Sequence, residues 1–216
     1  AHGMGAAQAK LFAREGAALF LGDIDLAALE KVAGGIQEEG VNVIFSKLDV
    51  TIEKDWEDAV SKTEKAFGTV DVLMNNAGIM MTPYFKTKDG FEGQLGTNHL
   101  GHFALTGLLM ETLLNTPESR IVNVSSMAHK RGEMDFEDLQ FVNGNPYTPM
   151  KAYGRSKLAN LLFTNELQRR FAASGVDAVV PSPNTPPPFI PGESGSLMID
   201  VGNASVNRYF SFASML

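Results

Sequence analysis

The chain has 216 residues, 44% of them apolar and 20% charged, enough for one hydrophobic core and typical of a folded domain rather than a disordered segment. A formal net charge of −7 with no long run of Lys and Arg excludes a nucleic-acid surface, and the lack of cysteine excludes disulfide scaffolds, zinc-thiolate sites and thiol nucleophiles. No apolar run reaches the roughly 18 residues of a membrane span and no basic-then-apolar leader opens the sequence, so neither a span nor a signal peptide is expected and the expected location is cytoplasmic.

The first periodic segment, AAQAKLFAREGA, places Ala, Leu and Phe at helical spacing and stops at Gly16. ALFLGDID (18 to 25) reads as a buried strand ending in acids, LAALEKVAGGIQEEG as a helix, and VNVIFSKLDV (41 to 50) as a second strand. EKDWEDAVSKTEKAFG returns to helical period, and VDVLMNNAG (70 to 78) is a strand running into a turn. A long helical pattern follows from about Lys88 to Leu114, then the strand RIVNVSS (120 to 126), a helix holding Tyr153, and a last strand candidate, VDAVVPS. PSPNTPPPFIPG (181 to 192) is proline-rich and reads as an extended, semi-rigid loop.

Near-continuous apolar strands alternating with helices imply a parallel sheet covered on both faces. The expected fold is therefore α/β, a doubly wound, Rossmann-like parallel sheet in a three-layer α/β/α sandwich, with residues 1–216 forming one domain. Ligands bind such sheets beyond the carboxyl ends of the strands, where this chain has Asp23, Asp49, Asn75 to Gly78, Ser125 and Ser126. Gly3 and Gly5 open the first helix and leave room for a phosphate at its amino terminus. Asp23 lies twenty residues after Gly3 at the end of the next strand, where a carboxylate can accept both hydroxyls of an adenosine ribose. Tyr153 and Lys157, four apart in AYGRSKLAN, share one helical face; taken alone, that pair reads as an amphipathic Tyr beside a solvated Lys.

Taken in order, Gly3-Met4-Gly5, Leu48-Asp49-Val50, Asn75-Asn76-Ala77-Gly78, Asn98, Ser126 and Tyr153-x-x-x-Lys157 resemble the short-chain dehydrogenase/reductases, over nearly the whole chain from Gly3 to about Pro183. The resemblance implies an oxidoreductase that moves a hydride between NAD(H) and an alcohol or carbonyl. Tyr153 would be the general acid in reduction and the base in oxidation. Lys157 and the oxidised nicotinamide would favour the phenolate, since a free phenol with a pKa of about 10 is a poor base near neutrality. By the same resemblance Lys157 holds the nicotinamide ribose, Ser126 bonds the substrate oxygen with Ser125 as the competing serine, and Asn98 holds a water linking Lys157 to solvent. Asp49 would accept from the adenine amino group, while Asn75, Ala77 and Gly78 shape the loop over the cofactor; Asn75 also reads as a tie between neighbouring strands. Because a 2′-phosphate beside Asp23 would be repelled, NAD(H) is the preferred cofactor, with NADP(H) left open.

GTNHLGHFALT (96 to 106), RIVNVSSMAHKRG (120 to 132) and AYGRSKLANLLFTNEL (152 to 167) are similar to the retinol dehydrogenase-like branch, which implies a lipophilic small-molecule alcohol or carbonyl. The first 78 residues look more like bacterial hydroxysteroid and acyl-carrier-protein reductases. Residues 181–216 are expected as a substrate-side loop and lid. Met80, Met81, Met127 and Met150 fit either an apolar pocket or the core. Ala159, Phe163, Leu167 and Phe171 form a stripe that is either core or subunit interface, and the resemblance implies a homodimer or homotetramer. His99 and His102 stand one turn apart but lack further ligands, so no metal site is expected.

Two departures stand against the family pattern. The glycine motif starts only at its end, so the first strand and the last helix and strand are expected to be absent. A parallel sheet without its middle strand would leave two interior edges unpaired. Pro183-Asn184 also stands where the family has Pro-Gly. The competing expectation is a non-catalytic dinucleotide-binding remnant or an inactive fragment of such an enzyme.

Overall fold

The computed structural model of the chain describes residues 3–49, 52–180 and 196–200. Helices and strands alternate in the expected order: α1 (Gly3–Arg14), β1 (Ala18–Asp23), α2 (Leu26–Gln37), β2 (Val43–Lys47), α3 (Glu53–Phe67) and β3 (Val72–Asn75). A broken helix comes next, built from α4 (Gly93–Leu95), a π-turn at Gly96–Leu100 and α5 (Gly101–Leu114). β4 (Arg120–Asn123), the long α6 (Pro149–Phe171), β5 (Asp177–Val179) and β6 (Ser196–Asp200) complete the set.

The helix starts are written locally. The Asp25 carboxylate accepts from Ala28 N at 3.1 Å to cap α2, and the Thr148 hydroxyl accepts from Lys151 N at 3.2 Å to cap α6. Pro149 occupies the first turn of α6, where its missing N–H costs nothing.

All strand pairings are parallel, in the order β2-β1-β6-β3-β4-β5. The two faces sort by alternation along each strand. Leu19 and Leu21 of β1, Val72 and Met74 of β3, and Val122 of β4 join one apolar cluster with Ala9, Ala13, Leu29 and Ile36 of α1 and α2. Phe20, Leu73 and Ile121, their neighbours in sequence, join the other with Trp56 of α3, Leu105 and Leu109 of α5, and Leu167 of α6. Successive strand residues point to opposite faces, so a run apolar at every position requires helices on both sides. The three layers follow.

Three expectations change. The interior position expected to be empty is filled by β6, which pairs Ala18 through Gly22 on one side and Val72 through Met74 on the other. That pairing gives partners to backbone groups of two buried strands that would otherwise have none. The expected lid over 181–216 therefore contributes a central strand at 196–200; its other residues, like Val50, lie outside the described part. The helix expected from about Lys88 begins instead at Gly93, because Thr87 N bonds Phe91 O and closes a turn before it, and Glu92 caps the helix by accepting from Gln94 N and Leu95 N. Among the described residues no helix is long and apolar enough to cross a membrane.

Candidate active site

Every strand runs the same way, so the strand ends and the first turns of the helices that follow them share one edge of the sheet. The strand order reverses between β1 and β3, and α1 starts at that switch point, where doubly wound sheets hold nucleotides. Gly3 opens α1 with φ at +63°, a left-handed conformation that favours glycine, and no atom lies within 4 Å of where a Cβ would stand. Gly5 is buried in the next half-turn, and Met4 lies between them. This open helix start fits a pyrophosphate. Asp23 ends β1, is 6% exposed, and accepts a hydrogen bond from Asp25 N at 2.9 Å. Asp49, half-buried after β2, donates its N–H to Asp55 Oδ2 at 2.8 Å.

The other half of the edge holds the residues expected to carry the chemistry. Tyr153 and Lys157 lie on successive turns of α6, with Tyr153 half-buried and Lys157 only 4% exposed. Lys157 Nζ sits 5.8 Å from the centre of the Tyr153 ring and donates to Val124 O, just beyond β4, at 3.0 Å. Burial penalises the ammonium and lowers the Lys157 pKa to about 8. The charged form still dominates at pH 7, but in a site where a proton can be moved at modest cost. Gly78 packs against the same group: a Cβ there would meet Lys157 Nζ in ordinary contact at 3.5 Å and crowd Asn98 Oδ1 at 3.2 Å.

The two serines separate by their partners. The Ser125 hydroxyl donates to the main-chain carbonyl of Lys157 at 2.7 Å and thereby ties β4 to α6. The Ser126 hydroxyl accepts from Ala128 N at 3.2 Å, which leaves its proton for another acceptor, and the residue is half-buried. That geometry fits Ser126 rather than Ser125 as the group for a substrate oxygen.

Asn98 occupies the π-turn, and its side chain is tied to the facing loop and to α6. Its Oδ1 accepts from Ile79 N at 2.8 Å, while its Nδ2 donates to Ile79 O at 2.8 Å and to Ser156 Oγ at 2.9 Å. Asn75 is a strand tie: its Nδ2 donates to Asn123 Oδ1 at 2.7 Å and Thr106 Oγ1 at 3.0 Å, and Asn123 donates onward to Thr164 Oγ1 at 3.0 Å. Ala77 is buried under the same turn.

Sequence reasoning missed the polar seam behind these residues. Asn98, His102 and Thr106 recur every fourth residue on the broken helix, and Ser156, Asn160 and Thr164 do so on α6; all six are buried. The signal was present as polar residues at core-facing helical spacing. His102 makes no hydrogen bond of good geometry from either ring nitrogen, and burial, then Lys157 and His99, lower its pKa to about 3. Sequence reasoning also overlooked Arg155, which donates from the interior to Glu133 O, Asp138 O and Leu139 O and stacks 4.0 Å from the Phe141 ring centre. It pins the long interval between Ser126 and Tyr153 to α6. Tyr147 joins that interval to the facing loop by donating to Thr82 O at 2.8 Å and accepting from Gln94 Nε2 at 2.9 Å.

Met80, Met81 and Met127 follow the motif strands and are 46% to 61% exposed, so they are not core residues. Leu167 is buried in the second apolar cluster, with Phe163 and Phe171 packed against it, and Ala159 is buried as well. Among the described residues no group of three or more His, Asp and Glu is placed to hold a metal ion.

A sequence profile for the family described as short chain dehydrogenase matches residues 1–137. Retinol dehydrogenase 11 of Homo sapiens is 45% identical over 189 residues, covering 85% of this chain and 58% of its own length. Among solved structures, an uncharacterized protein from Mycobacterium paratuberculosis superposes with a TM-score of 0.67 at 44% identity, over 83% of this chain and 63% of its own. A short-chain dehydrogenase/reductase from Burkholderia phymatum in complex with NAD reaches 0.63 at 25% identity, over 81% and 59%. The chain thus spans little more than half the length of the curated relative it matches.

Proposed function

Since the chain belongs to the short-chain dehydrogenase/reductase family, we propose that it transfers a hydride between NAD(H) and a lipophilic alcohol or carbonyl, with Tyr153 as general acid and base. The observation that carries this reading is the buried Lys157 ammonium, held on Val124 O one turn from the half-buried Tyr153. A bound nicotinamide supplies the hydride donor or acceptor.

The chain's own residues do the rest. Tyr153 Oη gives its proton to the carbonyl oxygen in reduction and takes it from the hydroxyl in oxidation. Lys157 lowers the cost of the phenolate by standing near it as a cation, and Ser126 Oγ donates to the same substrate oxygen to orient it. Gly3, Met4 and Gly5 at the start of α1 would take the pyrophosphate on backbone N–H groups, and Asp23 the adenosine ribose. Asp49 and Val50 would border the adenine, and Asn75, Ala77 and Gly78 would form the floor beneath the nicotinamide half. The buried Asp23 carboxylate supports NAD(H) over NADP(H), because a 2′-phosphate beside it would be repelled. Exposed Met80, Met81 and Met127 support an apolar substrate. Phe103 and Leu162, 56% and 45% exposed on α5 and α6, support a homodimer or homotetramer.

The test is turnover of decanal with NADH, run beside fluorescence titrations with NADH and NADPH. Tyr153→Phe is expected to lower kcat by roughly 10²- to 10⁴-fold while NADH still binds. Full activity in that variant would refute the assignment of Tyr153. Tighter binding of NADPH than NADH would refute that of Asp23. Cofactor binding without turnover of any alcohol or carbonyl would favour a binding-only role.

A further inference from the structure

The family motif on α6 ends at Lys157, yet the next turn holds a side chain that touches three parts of the site. Asn160 is fully buried. Its Nδ2 donates to Asn98 O at 2.8 Å and to Val124 O at 3.2 Å, and its Oδ1 stands 3.1 Å from His99 Nδ1. Both carbonyls are acceptors only, so the amide nitrogen must face them and the amide oxygen must face His99. His99 in turn must present a proton from Nδ1. Phe103 and Phe163 hold its ring, with centroids 6.4 Å and 5.8 Å away. The clamp therefore has one polarity and one orientation.

Its two acceptors are the ones that matter. Val124 O is the carbonyl on which Lys157 Nζ rests at 3.0 Å, so Asn160 and Lys157 share it. Asn98 O belongs to the π-turn, so the same amide ties α6 to the broken helix. We propose that Asn160 is a positioning residue of the proton-transfer site, holding Val124 O, the carbonyl on which the Lys157 ammonium rests, and bracing it against Asn98 O of the π-turn.

The consequence follows from electrostatics. Without the amide, Val124 O loses one of its two side-chain donors and presents more partial negative charge to the ammonium that remains on it. The change draws Nζ toward Val124 O, away from Tyr153, and favours its charged form. The titratable groups that face Lys157 are Tyr153 from its own helix and His102 from α5, with His99 behind Asn160. Burial keeps both imidazoles neutral near pH 7, so neither offsets the change.

The inference rests on the dehydrogenase reading for its kinetic part alone. Its direct test is the titration of Lys157 in the purified chain labelled at lysine Nζ, followed by heteronuclear NMR and assigned with Lys157→Gln. In Asn160→Leu, which keeps the volume and removes both donors, the Lys157 titration is expected to move to higher pH. Asn160→Ser, which keeps one donor, should give an intermediate shift and serves if the Leu variant does not fold. A lowered melting temperature with an unmoved Lys157 titration in a folded variant would overturn the proposal and leave Asn160 a packing residue. In decanal turnover the Leu variant is expected to lose roughly 10- to 100-fold in kcat, the size of a small misplacement of a reacting group, with a much smaller change in KM. An unchanged kcat in an active wild-type chain would also overturn it. A wild type that turns nothing over would sink the dehydrogenase reading, while the NMR titration would still decide the role of Asn160.

Discussion

The two halves of the sheet are built from different materials. Between β1, β2 and the helices α1 and α2 the core is mostly aliphatic: Leu19, Leu21, Leu29, Ala33, Ile36 and Val43 pack together, and the amide oxygen of Gln8 on α1 is a buried polar exception. Between β3, β4, α5 and α6 the layer next to the carboxyl edge is a seam of Asn, Ser, Thr and His side chains, and apolar packing resumes only at Leu105, Leu109 and Leu167. The apolar half gains stability from burial, which is non-directional and tolerates small shifts. The polar half gains less net stability per contact, but each hydrogen bond prescribes a distance and a direction. Stability and precision are thus placed side by side rather than mixed.

Substitutions can separate the two. The largest effect is expected at Lys157→Met. Turnover of decanal should fall by roughly 100-fold or more, since the phenolate of Tyr153 loses its cation. Stability at pH 7 should nonetheless rise by about 1–3 kcal/mol in denaturant unfolding. The folded chain holds Lys157 with a pKa of about 8, below its ordinary 10.5, so the ammonium is a net cost to the fold that is relieved only as pH rises between those values. A variant both inactive and less stable would contradict this assignment of cost.

Leu21→Ala should do the reverse. It empties a fully buried site in the apolar half and is expected to cost about 2–5 kcal/mol. The Lys157 titration should stay in place, and its movement would mean that the halves are mechanically coupled. His102→Leu is the smallest of the three at neutral pH, because neither ring nitrogen makes a good hydrogen bond that the change would break. Its signature lies in acid. The unfolded chain protonates His102 near 6.5 and the folded chain only near 3, so His102 makes stability fall as pH drops through that window. The Leu variant should flatten that part of the stability curve, and an unchanged acid limb would assign it to other groups.

Much of this was legible in the sequence. Strands apolar at consecutive positions, such as Leu19-Phe20-Leu21, announce burial on two faces, and the order of NNAG, Ser126 and Tyr153-x-x-x-Lys157 follows the strand ends that share one edge of the sheet. The tie made by Asn75 was one of two readings its position allowed, and the bonds to Thr106 and Asn123 are that tie. The polar seam was harder to read, because Asn160 or Thr164 inside an amphipathic helix looks like a solvent-facing residue until the opposing helix is seen to carry its own polar row. The π-turn at Asn98 has no composition of its own; it arises where one residue more than a regular turn is accommodated. β6 was misread for a different reason. Ser196–Asp200 is short, follows a proline run, and pairs with strands far back in the chain, so no local pattern ties it to the centre of the sheet.

That placement has a kinetic side. Leu21 of β1 lies opposite Ile199, and Leu73 of β3 opposite Met198, so the middle of the sheet is sewn by contacts of very large sequence separation. Loop closure on that scale is slow, and sheets dominated by such pairings fold late. Among the described strands, β1 and β3 therefore emerge in synthesis long before β6, which lies between them, and an edge strand left unpaired over such an interval is a site for pairing with other chains.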